Sequence, residues 1–193
     1  MKRATLLLFA ALAVLAASPL TLHAQVLQPV ATPTPDPMVY SDPAMSFRAP
    51  DGFVAVGKRQ IDVSKLGEDP EIVAGWLYPN KDHPRRLYIQ QEYFEGNVHD
   101  FDGVYEEQVR GQFDNALFKN KQDISLKNGM PAMFMEMTSG EGFGVQKMYI
   151  LIWADTQRGV AIVLQTQLGD LDANAARALI SDASAVRYPV ERQ

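Results

Sequence analysis

Two nearly unbroken apolar runs, residues 145–154 and 160–167, constrain this chain more than any other feature. The first carries Met148, Tyr149, Ile150, Leu151, Ile152 and Trp153 in succession, and the second carries Val160, Ala161, Ile162, Val163 and Leu164. Between them lies Asp155-Thr156-Gln157-Arg158-Gly159, a polar stretch suited to a turn. A strand with one wet face alternates apolar and polar side chains, so runs without alternation predict strands covered on both faces. The pair is expected to form a central hairpin with one layer above it and another below.

The other segments supply the remaining elements. Met45-Ser46-Phe47-Arg48-Ala49 alternates as a half-buried strand, and Pro50-Asp51-Gly52 turns the chain into a second strand over 53–58, its expected partner. Residues 61–70 read as a loop, 72–78 and 86–94 as a third and fourth strand joined by the turn-rich 79–84. Phe101, Tyr105, Val109, Phe113 and Leu117 recur at four-residue steps with Val104 and Ala116 on the same stripe, which predicts an amphipathic helix over 101–118 capped by Asp100. Strands over 124–126 and 132–138 flank Asn128-Gly129, a strong hairpin signal, with Pro131 confined to a strand start or an edge. A last helix is expected over 172–186, with Ala175, Leu179, Ala183 and Val186 on one stripe, ending before Pro189. Four strands, a helix, four strands and a helix make an α+β domain. The expected architecture is a mostly antiparallel sheet of about six to eight strands packed with two main helices, an α/β/α sandwich.

The N-terminal part reads differently. Lys2 and Arg3 precede the uncharged apolar stretch 4–17, Pro19 breaks it, and Leu22-His23-Ala24 before Gln25 offers a cleavage site, so residues 1–24 read as a secretory signal peptide. As a helix the stretch would span roughly 21 Å, short of a hydrocarbon core of about 30 Å, which disfavours a membrane span. Retention of the segment as a tether is the alternative, since Leu22 is larger than the cleavage pattern prefers. Residues 25–43 carry five prolines, including the alternation Thr32-Pro33-Thr34-Pro35-Asp36-Pro37, and read as an extended linker leading into a single domain over 44–193. The chain has no cysteine, so neither lipid attachment to a thiol nor a disulfide framework is available and stability must come from a hydrophobic core. Loss of Lys2 and Arg3 from 18 basic residues takes the formal charge from −5 to about −7. An acidic chain without a basic block argues against nucleic acid and against anionic membrane surfaces as partners. The location expected is the periplasm, with an extracellular destination as the alternative.

The order of elements, with Phe47-Arg48-Ala49-Pro50-Asp51-Gly52-Phe53 at the domain's entrance and Leu126-Lys127-Asn128-Gly129-Met130-Pro131-Ala132 before the later strands, resembles the PsbP/Mog1-like superfamily. The resemblance spans roughly residues 44 to 188. It implies an antiparallel sheet sandwiched by helices, and an exported accessory or binding subunit without catalysis rather than an enzyme. It offers no catalytic residue and no cofactor to carry over.

Few residues suggest chemistry. Met133, Met135 and Met137 alternate along one strand, beside Met130 and with Met148 on an expected neighbour. Three thioethers on one face could hold Cu(I) outside the cytoplasm, but the same spacing belongs to any core-facing strand, which is the reading adopted. Gly140-Glu141-Gly142-Phe143-Gly144 lacks the strand, helix and lysine of a phosphate loop and reads as a flexible hairpin connection. Phe143, displayed on Gly140 and Gly142, is a candidate contact for a partner, either a protein or a small ligand. His83 and His99 fall in separate loops, and no nucleophile motif is present. Glu92, Glu106, Glu107, Glu136 and Glu141 read mainly as a solvated face, though two of them facing each other would suggest an enzyme. Trp76, Tyr78, Tyr88, Tyr93, Phe94, Tyr149 and Trp153 are assigned to the core beneath the helices rather than to an open binding face.

Overall fold

The structure is a computed structural model and describes residues 35–57, 60–61, 71–140, 145–155 and 157–185. Residues 1–34 lie outside it, so the signal peptide and most of the proline-rich stretch are not among the described residues.

In chain order the strands are β1 (Val39–Ser41), β2 (Met45–Arg48), β3 (Val54–Ala55), β4 (Glu71–Tyr78) and β5 (Arg85–Tyr93); helix α1 (Val98–Gln112) follows. Then come β6 (Leu117–Ser125), β7 (Pro131–Ser139), β8 (Gln146–Ala154), β9 (Arg158–Gln167), helix α2 (Ala173–Ile180) and β10 (Ala183–Ala185). Seven strands form one sheet in the order β3-β4-β5-β9-β8-β7-β6, and β1, β2 and β10 form a second, small sheet. Every pairing is antiparallel. The protein is thus α+β, built on a mostly antiparallel sheet with two helices.

The apolar runs that opened the reading occupy the middle of the large sheet as β8 and β9, paired from Gln146↔Gln167 to Ala154↔Gly159. Alternate residues point to opposite layers. Tyr149, Leu151 and Trp153 enter one buried cluster with Met45 and Phe47 of β2, Ala183 and Ala185 of β10, and Ala176 and Ile180 of α2. Met148, Ile150 and Ile152 enter the other with Val98, Phe101, Tyr105 and Val109 of α1. One face of the large sheet is therefore covered by α1 and the other by α2 together with the small sheet. Each large apolar side chain moved from water into these layers contributes on the order of 1.5–3 kcal/mol.

The boundaries differ from expectation where pairing outweighs local pattern. Strands β2 and β3 do not form a hairpin: β2 pairs with β1 and β10, whereas β3 pairs with β4 through Val54↔Leu77 and Ala55↔Trp76. The turn at Pro50-Asp51-Gly52, with Gly52 at φ 87°, moves the chain from one sheet to the other. The end of the stretch read as linker is structured, since Val39, Tyr40 and Ser41 pair with Arg48, Phe47 and Ser46. It is held there by Trp76, whose indole Nε1 donates to the Pro37 carbonyl at 3.1 Å.

Helix α1 is capped by Asn97, whose side chain accepts from the amides of His99 and Asp100, and Asp100 returns the bond to the Asn97 backbone as the third residue of a capping box. It stops at Gln112 because Phe113 is extended and Asn115 takes a left-handed φ of 56°, so Leu117 begins β6 and is 54% exposed rather than closing the helical stripe. Val104 also faces outward. Helix α2 starts where expected, with Asp172 as its cap (Oδ1 accepts from Ala175 N at 2.8 Å), but it ends at Ile180 and buries Ala176 and Ile180, not Ala175. Residues 183–185 are a strand against β2, a pairing that an Ala/Ser-rich stretch does not announce. No helix among the described residues is long and apolar enough to cross a membrane.

Candidate functional site

The two segments that carried the resemblance, far apart in sequence, meet. Arg48 at the end of β2 and the following Ala49, Pro50 and Asp51 form one wall of an open groove of about 420 Å³. Lys127, in the turn between β6 and β7, stands on a second side, and Ala178, Leu179, Ser181 and Asp182 at the C-terminal end of α2 form the third. The hairpin signal is realised as expected: Gly129 has φ 79°, its amide donates to the Leu126 carbonyl at 2.8 Å, and Pro131 is the first residue of β7. This turn lifts Lys127 to the groove, while Leu126 and Met130 on either side anchor in the core.

Ion pairs frame the groove. Arg48 Nη1 lies 3.1 Å from Asp36 Oδ2, and Lys127 pairs with Asp182. All four side chains are between 43% and 63% exposed, so these pairs fix geometry more than they stabilise the fold. Asp51 has no hydrogen-bond or ion-pair partner among the described residues.

The strongly displaced ionisations lie elsewhere. Asp42, just after β1, accepts from the amides of Ala44 and Met45 at 2.8 and 2.7 Å, from Gln91 of β5 at 3.2 Å and from Arg158 of β9 at 2.8 Å. Burial opposes its charge, but the Ala44 amide, Gln91, the Met45 amide and Arg158 together hold its carboxyl down at about 2. Burial, then the hydrogen bond that the Tyr40 hydroxyl donates to Asp42 at 3.0 Å and that carboxylate's charge, push the hydroxyl up to about 12. This network fastens the small sheet to the large one.

At the other end of the same face Glu136 is buried, and against that burial Lys147 at 2.6 Å and Asn120 at 2.7 Å hold its carboxyl below the usual range. Asp170 is lowered chiefly by Arg85, whose Nε lies 2.7 Å away, with some opposition from burial and further help from His83 at 3.0 Å. Lys121 of β6 bridges Asp102 and Glu106 of α1 at 2.6 Å each. Burial disfavours the Glu106 charge, but Lys121 and Arg110 outweigh it and leave the carboxyl lowered.

The residues singled out from sequence are dispersed among these features. Met133, Met135 and Met137 are 5%, 0% and 0% exposed beneath α1, with Met137 paired directly to Met148 across β7 and β8. The three thioethers fill core volume on one face; Met130 belongs to the opposite cluster. Phe143 and Gly142 lie outside the described residues, and Gly140 is exposed at φ 94° with its amide donating to the Asp114 carbonyl at 3.2 Å. Trp76, Tyr149 and Trp153 are buried on the α2 face and Tyr88 on the α1 face, as a core reading requires, whereas Tyr93 is 73% exposed. His83 and His99 contact different carboxylates, Asp170 and Asp123. Among the described residues no three of His, Asp and Glu stand together as a metal site. Asp51, Lys127 and Asp182 escaped the sequence reading as site residues, although two of them sit inside the motifs that carried the resemblance.

No protein-family model matches the chain, and no curated protein matches it.

Proposed function

We propose that this chain is an exported, non-catalytic binding domain of the bacterial cell envelope, working in the periplasm and docking its partner at the groove between the Pro50-Asp51 turn, Lys127 and the end of α2. One observation carries the reading. Every carboxylate, lysine or arginine whose ionisation is displaced among the described residues is engaged by an opposite charge in a structural pair: Asp42 with Arg158, Glu106 with Lys121, Glu136 with Lys147, and Asp170 with Arg85. A general acid or base must be free to exchange a proton with a substrate, and these groups are locked to each other. The groove has the opposite character, an open concavity lined by exposed charges over a small apolar floor, which suits a surface that recognises a partner. The layered sheet and the convergence of the two motif segments on one groove support placing the chain with the PsbP/Mog1-like proteins.

The test is a pull-down from envelope extract with the mature protein, beginning at Gln25, beside an Asp51→Arg, Lys127→Glu variant that folds equally well. The wild type should retain a specific protein that the variant releases; equal retention by both would remove the groove from the account.

A further inference from the structure

The charges around the groove restrict what can enter it. Four charged side chains line it, and three of them are already engaged, Arg48 by Asp36 and Lys127 and Asp182 by each other. Asp51 alone among them is without a partner among the described residues. It is held on a turn whose next residue, Gly52, takes φ 87°, and a Cβ there would come within 2.9 Å of the Tyr78 ring, so the turn that presents Asp51 is built for glycine.

The second contribution is the end of α2. Ser181 N bonds to the Arg177 carbonyl, and no backbone amide among the described residues reaches the carbonyls of Ala178, Leu179 or Ile180 beyond it. The C-terminal end of a helix carries about half a negative charge. Between that end and Asp51 run Pro50 and Leu179, an apolar surface on which the methylene stem of a long side chain can lie.

Resting on the groove as the binding site, we propose that it receives a cationic side chain, a guanidinium or an ammonium, from an extended segment of the partner polypeptide. An anion would have to break the Arg48–Asp36 or Lys127–Asp182 pair and then face Asp51 and the helix carbonyls. A cation displaces nothing. The volume of about 420 Å³ exceeds what one side chain fills, which leaves room for the flanking backbone. The net negative charge of the whole chain steers the same class of partner toward it.

The experiment is an amide chemical-shift titration of the mature protein with the capped tripeptide Gly-Arg-Gly, and in parallel with Gly-Glu-Gly, to about 10 mM, since one exposed ionic contact gives weak binding. The arginine peptide should shift the amides of residues 48, 49, 51, 127 and 178–182 in a saturable way. Asp51→Asn should weaken it about three- to fivefold, raised salt should do the same, and the glutamate peptide should leave these amides unmoved. Shifts scattered over the surface, an unchanged affinity in Asp51→Asn, or binding of the glutamate peptide would each overturn the proposal. If the pull-down maps a partner to the groove while the arginine peptide fails to bind, the groove stands and the cation falls. If both fail, the groove itself falls.

Discussion

Replacing Gly159 with alanine tests the packing of α1 on the sheet at its tightest point. Gly159 is the second residue of β9, opposite Ala154 on one side and Glu92 on the other. A Cβ placed there would lie 2.3, 2.4 and 2.7 Å from three carbons of the Phe101 ring, well inside van der Waals contact. The ring cannot swing aside, because Phe101 is 1% exposed and packs between Phe94 and Tyr105 with centroids 5.0 and 5.8 Å away. The helix must lift or the strand must bend. Overpacking of this kind costs about 1–3 kcal/mol. In a domain of roughly 150 residues each kcal/mol moves Tm by about 2–4 °C, so a loss of about 4–8 °C is expected for the middle of that range. Circular dichroism through thermal unfolding reads it directly. The double variant Gly159→Ala, Phe101→Leu removes the ring edge that causes the clash, so its loss should be smaller than the sum of the two single losses by about 1 kcal/mol. A Tm within about 1 °C of wild type for the alanine variant, or strict additivity in the double variant, would refute the close contact.

Four further outcomes follow, three from the structure and one from the sequence. Asp42, Glu136, Glu106 and Asp170 all have folded-state acidities below their unfolded ones, so the stability they supply is complete above about pH 4.5 and is lost as pH falls toward 2; urea midpoints across that window should drop, and less steeply in Asp42→Asn. At the alkaline end Tyr40, raised to about 12, contributes stability that is whole below about pH 10 and declines as pH rises through the folded value, a slope that Tyr40→Phe should reduce. Met135→Ala should cost about 2–5 kcal/mol and Met135→Leu less than about 1.5 in equilibrium unfolding, because the site is core volume; near-equal losses would contradict that role. Mass spectrometry of protein recovered from the envelope should show Gln25 as the first residue, and an intact Met1 would mean that the apolar segment stays attached.

What the sequence conveyed depended on how local each determinant is. The central hairpin was plain because β8 and β9 are apolar on both faces, a property written in consecutive residues. The turn at Asn128-Gly129 was equally visible, since it needs particular side chains at particular offsets, whereas the cap expected at Asp100 lies three residues earlier, at Asn97. Elements defined by a distant partner were not visible. Val39–Ser41 and Ala183–Ala185 are strands because β2 lies between them, and at three residues each they are too short for an alternation to register. The extension of α1 past Gln112 was drawn from a period that Phe113 and Leu117 continue by coincidence, while Asp114-Asn115 carried the turn signal that ends it.

The groove was invisible for the same reason. Its walls come from segments near residues 50, 127 and 180, and only the docking of the small sheet against α2 brings them together. The part-buried charged pairs, such as Arg85 with Asp170 and Arg158 with Asp42, join residues 85 and 116 positions apart and left no mark in the linear pattern. The alternating methionines gave a local signal that a core strand and a soft-metal site share, and burial beneath α1 assigns them to the core.

The most direct test of the binding account is site-specific photo-crosslinking of the full-length chain in living cells. A photoreactive residue at Ala178, on the groove, should yield one discrete crosslinked species on irradiation, and the same residue at Val104, on the outer face of α1, should yield none. A crosslink at Val104 with nothing at Ala178 would place the partner on the opposite layer and contradict the account.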